Sequence, residues 1–121
     1  MDFVLWILSA LLGVVYAATG VTKLAASRNR LVAAGMGWVE EAPMPSVRLV
    51  GALEVAGAVG IIVPWATGIL SPLAPLAAWG LAAVQVGAIW THLRRGEREK
   101  LWFNLLLLAA AIVVGVGRSI G

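Results

Sequence analysis

The sequence predicts an all-α integral membrane protein, a four-helix up-down bundle. Three observations predict it. Hydrophobic residue types make up 61% of the 121 residues and charged types only 12%. Soluble domains average roughly 45–50% apolar and about 25% charged, and disordered chains are richer still in charge, so both classes are excluded. The third observation is the spacing of charges. Asp2 and Lys23 bracket 20 residues free of Asp, Glu, Lys and Arg, Glu54 and Arg94 bracket 39, and Lys100 and Arg118 bracket 17.

A spanning helix needs about 20 mostly apolar residues. The first run therefore gives one span, residues 3–26. It opens on Asp2 rather than on a basic segment, so it reads as a retained helix and not as a cleaved signal. The loop that follows, Ser27 to Ser46, carries Leu31, Val32, Met36, Trp38 and Val39 among charged residues. That mixture suits a short helix on the inner membrane surface. Gly35 and Gly37 interrupt it, and Pro43 and Pro45 close it. The 39-residue run is too long for one span and has Pro64, Pro72 and Pro75 near its middle. It divides into spans 47–67 and 72–93 joined by a turn, with Ser71 placed to cap the third helix and Pro72 in its first turn. A charged hairpin, Leu93 to Lys100, leads to the fourth span, 101–118. The spans fill most of the chain, so residues 1–121 are expected to form a single transmembrane domain. Short connections make sequence neighbours pack side by side.

Four spans put both termini on one side, here the terminal side. The opposite side, the loop side, holds Lys23, Arg28, Arg30, Arg48, Arg94, Arg95, Arg98 and Lys100, against Arg118 alone on the terminal side. Basic residues stay in the cytoplasm. The expected location is the plasma membrane, with both loops cytoplasmic and both termini outside. The basic residues flank spans, so no nucleic-acid surface is expected. Trp6 and Trp65 fall at the outer interface and Trp38, Trp90 and Trp102 at the inner one, as membrane anchors do; Trp79 lies within a span.

Polar side chains inside spans are costly and tend to face the bundle or a wet cavity. Tyr16, Thr19 and Lys23 share one face of the first helix, and Gln85 and His92, seven apart, share one face of the third. Glu54 lies roughly 10 Å inside the second span at 1.5 Å per residue, with Arg48 at its inner mouth, and Asn104 is one turn into the fourth. Lys23, Glu54, His92 and Asn104 thus meet one level in the loop half. They predict a polar pocket open toward the inside, with Tyr16 and Gln85 as its floor and Thr19 and Arg48 beside it. Each has a plainer role as well. Lys23 can snorkel, Glu54 can pair with Lys23, Arg48 or His92, His92 can be interfacial, and Asn104 and Gln85 can join helices by hydrogen bonds. Arg48 can serve topology alone. Ala52, Ala56 and Gly60, four residues apart, form a ridge that permits close helix approach within the bundle or in a homo-oligomer. No nucleophile with a base, no metal-ligand set and no phosphate loop is present, so no catalytic residue is assigned and no metal site is expected. With no cysteine, any redox chemistry travels on a ligand or a partner.

Three stretches carry a resemblance. They are Ala18-Thr19-Gly20-Val21-Thr22-Lys23-Leu24, the run from Arg48 through Leu53-Glu54-Val55 to Gly60 that closes at Pro64, and His92 leading into Arg94-Arg95-Gly96-Glu97. Their order, spacing and four-span plan resemble the DoxX-like family of small membrane proteins. The resemblance implies polar positions at Lys23, Glu54, His92 and Asn104. It also implies a role beside redox chemistry, as in members linked to thiosulfate:quinone oxidoreduction or to redox-stress proteins. Two functions remain open. In one, the pocket takes a quinone or another lipid-like molecule. In the other, the chain is a non-catalytic accessory or assembly subunit bound to a membrane or redox protein. The lipid bilayer is a partner in both.

The orientation is checked with single cysteines in this cysteine-free chain. Gly96→Cys should react with a membrane-impermeant maleimide only after cell lysis, and Ser119→Cys in intact cells. The reverse pattern overturns the charge argument.

Overall fold

The computed structural model describes residues 2–120, apart from the side chain of Lys100. Its helices are α1 (Asp2–Ala25), α2 (Arg28–Ala33), α3 (Met44–Thr67), α4 (Leu73–Arg94) and α5 (Leu101–Ile120), with short 3-10 turns at Gly37–Glu40 and Arg98–Lys100. Four of these, all but α2, are long and apolar enough to cross a membrane, and no strand forms among the described residues. The chain is thus an all-α four-helix bundle. In hydrocarbon the helix satisfies its backbone groups internally, which is why the long apolar runs take this form. α1 packs on α3, α3 on α4, α4 on α5, and α5 returns to α1.

The helix limits differ from the sequence reading where proline is involved. α3 starts at Met44, three residues early, because Pro45 enters its first turn, where the missing N–H has no partner to lose. Pro64 sits in its last turn, and the helix stops at Gly68, whose φ of 73° is left-handed and whose N–H donates to the Pro64 carbonyl at 3.0 Å. α4 starts at Leu73 with Pro72 as the cap. Ser71 does not cap it through its hydroxyl. Its carbonyl oxygen accepts from the Ala74 N–H at 3.0 Å instead. The first loop does contain a short helix, α2, whose Arg30 N–H donates to the Ser27 hydroxyl. Leu31 and Val39 of this loop are fully buried against Val47, so its largest aliphatic side chains turn onto the start of α3.

Of the expected ridge, Gly60 makes a close approach and the two alanines do not. Ala52 and Ala56 are exposed. Gly20 and Gly51 instead bring α1 and α3 together: a Cβ on Gly20 would lie 2.7 Å from the Gly51 carbonyl oxygen, and one on Gly51 2.8 Å from that of Gly20. α4 and α5 meet where the Trp79 ring covers Gly115. Between these two tight pairs, contact is concentrated in the terminal half. A Cβ on Gly57 would be 2.5 Å from Leu81, one on Gly60 3.0 Å from Ala77, and one on Gly117 2.6 Å from Leu5.

Beyond those contacts, at the terminal end, Arg118 is buried. It pairs with Asp2 at 2.6 Å, and its guanidinium lies 5.0 Å from the Trp6 ring and 4.3 Å from the Trp65 ring. The sequence reading counted Arg118 only as a charge.

Gly51→Ala should destabilise the bundle by about 1–3 kcal/mol, as overpacking does, because backbone rather than a flexible side chain opposes the new Cβ. Gly80→Ala, with nothing within 4 Å of its Cβ, should be neutral or gain up to about 1 kcal/mol of helix propensity. Unfolding of both variants in detergent checks the contrast.

Candidate functional site

A cavity of about 670 Å³ occupies the loop half of the bundle. Tyr16, Thr19, Lys23, Glu54, Gln85, His92 and Asn104 all line it. The helical repeat explains why these sequence-distant residues converge: on each long helix they fall on the stripe that also carries the core. On α1, Tyr16 continues the line of Leu12, and on α4, Gln85 continues that of Ala78 and Leu81.

The charges are matched across the tight pair. Lys23 Nζ lies 2.5 Å from Glu54 Oε1, and the Thr19 hydroxyl donates to Glu54 Oε2 at 3.3 Å. Lys23 is 9% exposed and Glu54 3%, so the lysine turns inward and does not snorkel. Its ammonium is also 6.0 Å from the Trp38 ring centroid. An unpaired carboxylate at this depth would be costly. The Gly20–Gly51 approach brings the backbones close enough for Lys23 and Thr19 to reach it.

Across the other pair, Asn104 Nδ2 donates to Gln85 Oε1 at 2.9 Å. This is the interhelical hydrogen bond foreseen as one role for both residues. His92 Nδ1 lies 2.9 Å from Glu97 Oε1 of the hairpin, so the imidazole joins the cavity to the loop-side surface. The Tyr16 hydroxyl is different. Tyr16 is 1% exposed, its oxygen closes no hydrogen bond at full bonding geometry among the described residues, and the Gln85 side chain lies beside it.

Arg48 stands outside the cavity lining. Its Nη1 donates to the carbonyl oxygens of Lys23 and Ala26 at 2.6 and 2.7 Å. It therefore closes the C-terminus of α1, where carbonyls lack helical partners and a cation is favoured.

Sequence reasoning missed the part played by the first loop and by two tryptophans. Ala34, Gly35, Met36 and Trp38 line the loop-side end of the cavity, and Trp102 and Phe103 line it from α5. The loop is held there by Arg95. Its Nη1 is 2.5 Å from Glu41 Oε1, and its Nε is 3.4 Å from Glu97. Spacing alone gave no sign that Arg95 and Glu41, 54 residues apart, would meet. The one available signal was the length of the loop, which exceeds what a bare connection needs.

Residues 7–114 match the DoxX-like family. No curated protein and no solved structure matches the chain.

Lys23→Met should strand Glu54 and cost about 3 kcal/mol, the usual result of removing one partner of a buried pair. The double variant Lys23→Met with Glu54→Leu should recover most of that loss. A double-mutant cycle of unfolding in detergent measures the coupling, and additive losses would mean that the pair does not interact.

Proposed function

The chain belongs to the DoxX-like family, and from that premise we propose that its loop-half cavity binds a lipophilic small molecule with polar head atoms, a quinone in the simplest case, in a redox-associated role. The observation that carries this reading is the cavity itself, about 670 Å³ in volume, into whose apolar lining Tyr16, Gln85, His92 and Asn104 bring polar groups. An oxygen on a bound head group would accept the Tyr16 proton as the Gln85 side chain beside it gives way. The cavity, at about 670 Å³, falls within the roughly 300–1,000 Å³ of small-molecule sites. Its lining is largely apolar side chains with a few polar atoms, which suits a head group joined to hydrocarbon.

The neighbouring groups have separable roles in this reading. Thr19 and Lys23 hold Glu54 and fix the charge of the wall. The Gln85–Asn104 bond sets the width of the cavity between α4 and α5. His92, hydrogen-bonded to Glu97, brings an imidazole suited to proton exchange between the head group and the loop side. The cysteine-free chain offers no thiol to donate electrons, so a partner protein supplies them.

A second reading rests on the same polar pairs. Lys23 with Glu54, and Gln85 with Asn104, satisfy each other within the chain, as the lock of an accessory or assembly subunit would. The two readings part at Tyr16, whose hydroxyl lies beside Gln85 but closes no bond at full geometry.

Tyr16→Phe should therefore weaken binding of decylubiquinone about five- to tenfold, the worth of one hydrogen bond, and leave the melting temperature of the ligand-free protein equal or higher. Quenching of tryptophan fluorescence in nanodiscs reads the first quantity and thermal unfolding the second. A fall in stability with no change in binding would favour the accessory role.

A further inference from the structure

We infer that the cavity opens sideways into the bilayer between α3 and α4, beside Gly87, and that its ligand is a tailed amphiphile whose hydrocarbon chain leaves through this gap. This rests on the reading of the cavity as a binding site and adds the route and the shape of the ligand.

The seam between α3 and α4 is closed in one half only. Gly57 and Gly60 press against Leu81 and Ala77 toward the terminal side. Val50 lies seven residues before Gly57 and so on the same flank of α3. Val84 and Thr91 continue the flank of Ala77 on α4 at the same interval. Val50, Val84 and Thr91 all line the cavity. One flank on each helix is therefore in contact at one level and parted by open space about two turns further on.

Gly87, one turn from Thr91, is exposed on the bundle surface and lines the cavity as well. A Cβ there would meet nothing within 4 Å. At this point the wall of α4 is bare backbone, with no side chain between the interior and the surroundings of the bundle. Those surroundings at this depth are acyl chains, since Val86 and Trp90 on the same helix are exposed apolar neighbours. The loop-side end is covered differently. Trp38 and Met36 lie over it, and Arg95 pins the loop through Glu41. Exposed Glu99 also lines that end, so a water-soluble ligand would pass a carboxylate there, whereas an amphiphile reaches the polar groups from the membrane. Its head meets Tyr16 and Gln85, and its tail passes Gly87 into the lipid.

The test uses the full chain in phosphatidylcholine nanodiscs with one added thiol, Ala88→Cys, inside the cavity. N-dodecylmaleimide, which partitions into lipid, should alkylate it faster than a sulfonated maleimide does. Adding Gly87→Trp should slow the dodecyl reagent about tenfold or more by plugging the gap. Gly80→Trp, two turns away, equally unobstructed and outside the cavity lining, should leave the rate unchanged. Gly87→Leu and the melting temperature of each variant separate a plug from a folding defect. An unreactive Ala88→Cys thiol, equal rates with and without Gly87→Trp, or equal slowing by Gly80→Trp would overturn the sideways opening. Protection by decylubiquinone reports separately on the binding site. Alkylation that depends on Gly87 but is not blocked by the quinone would sink the quinone reading and leave the opening standing.

Discussion

A carboxylate inside the apolar thickness of a membrane must be matched by a cation or give up its charge, and Glu54 is matched by Lys23. Most of the loop half follows from that requirement. The pair spans α1 and α3, so these helices have to run close, and glycine at positions 20 and 51 makes the distance attainable. With α1 and α3 joined on one side and α4 and α5 joined through Gln85 and Asn104 on the other, the remaining polar side chains face the space between. The cavity is what two internally satisfied helix pairs leave when they do not fully close on each other.

Each pair uses a different solution to the same problem. The ionic one is strong but tolerates little displacement, since separating the charges exposes both to a low dielectric. The amide one is neutral and weaker, of the order of 1 kcal/mol in membrane proteins. Tyr16 belongs to neither. Its hydroxyl lies beside Gln85 without closing a hydrogen bond to it.

Much of this was legible from residue order alone. Charge-free runs gave the four spans to within a few residues, because a membrane helix is defined by composition and length. The sevenfold spacing of Gln85 with His92 and of Tyr16 with Lys23 gave faces, and the faces did converge. The misreadings share a cause. Arg48 looked like a pocket residue because depth was judged without direction; its side chain turns to the free carbonyls of α1. Of the small-residue ridge, Gly60 meets Ala77 while Ala52 and Ala56 face outward, because which part of a ridge meets a neighbour depends on the rotation of each helix, which a single sequence does not encode. The cover over the cavity depended on Arg95 finding Glu41, a contact between two loops with no periodicity to announce it.

The buried arginine at the terminal end has a mechanical consequence. Arg118 of α5 is gripped by Trp6 of α1 and Trp65 of α3 and tied to Asp2, while Trp79 of α4 donates to Ser119 at 3.3 Å. All four long helices are therefore fastened at one extremity, and toward the other the α1–α3 pair parts from the α4–α5 pair, like the arms of a pair of tongs. A rotation of about 5° around that fulcrum, carried along a helix about 30 Å long, shifts the free end by about 2.5 Å. A shift of that size is about half the breadth of a methylene chain, and the Arg95–Glu41 pair, which ties α4 to the first loop at the free end, has to follow it.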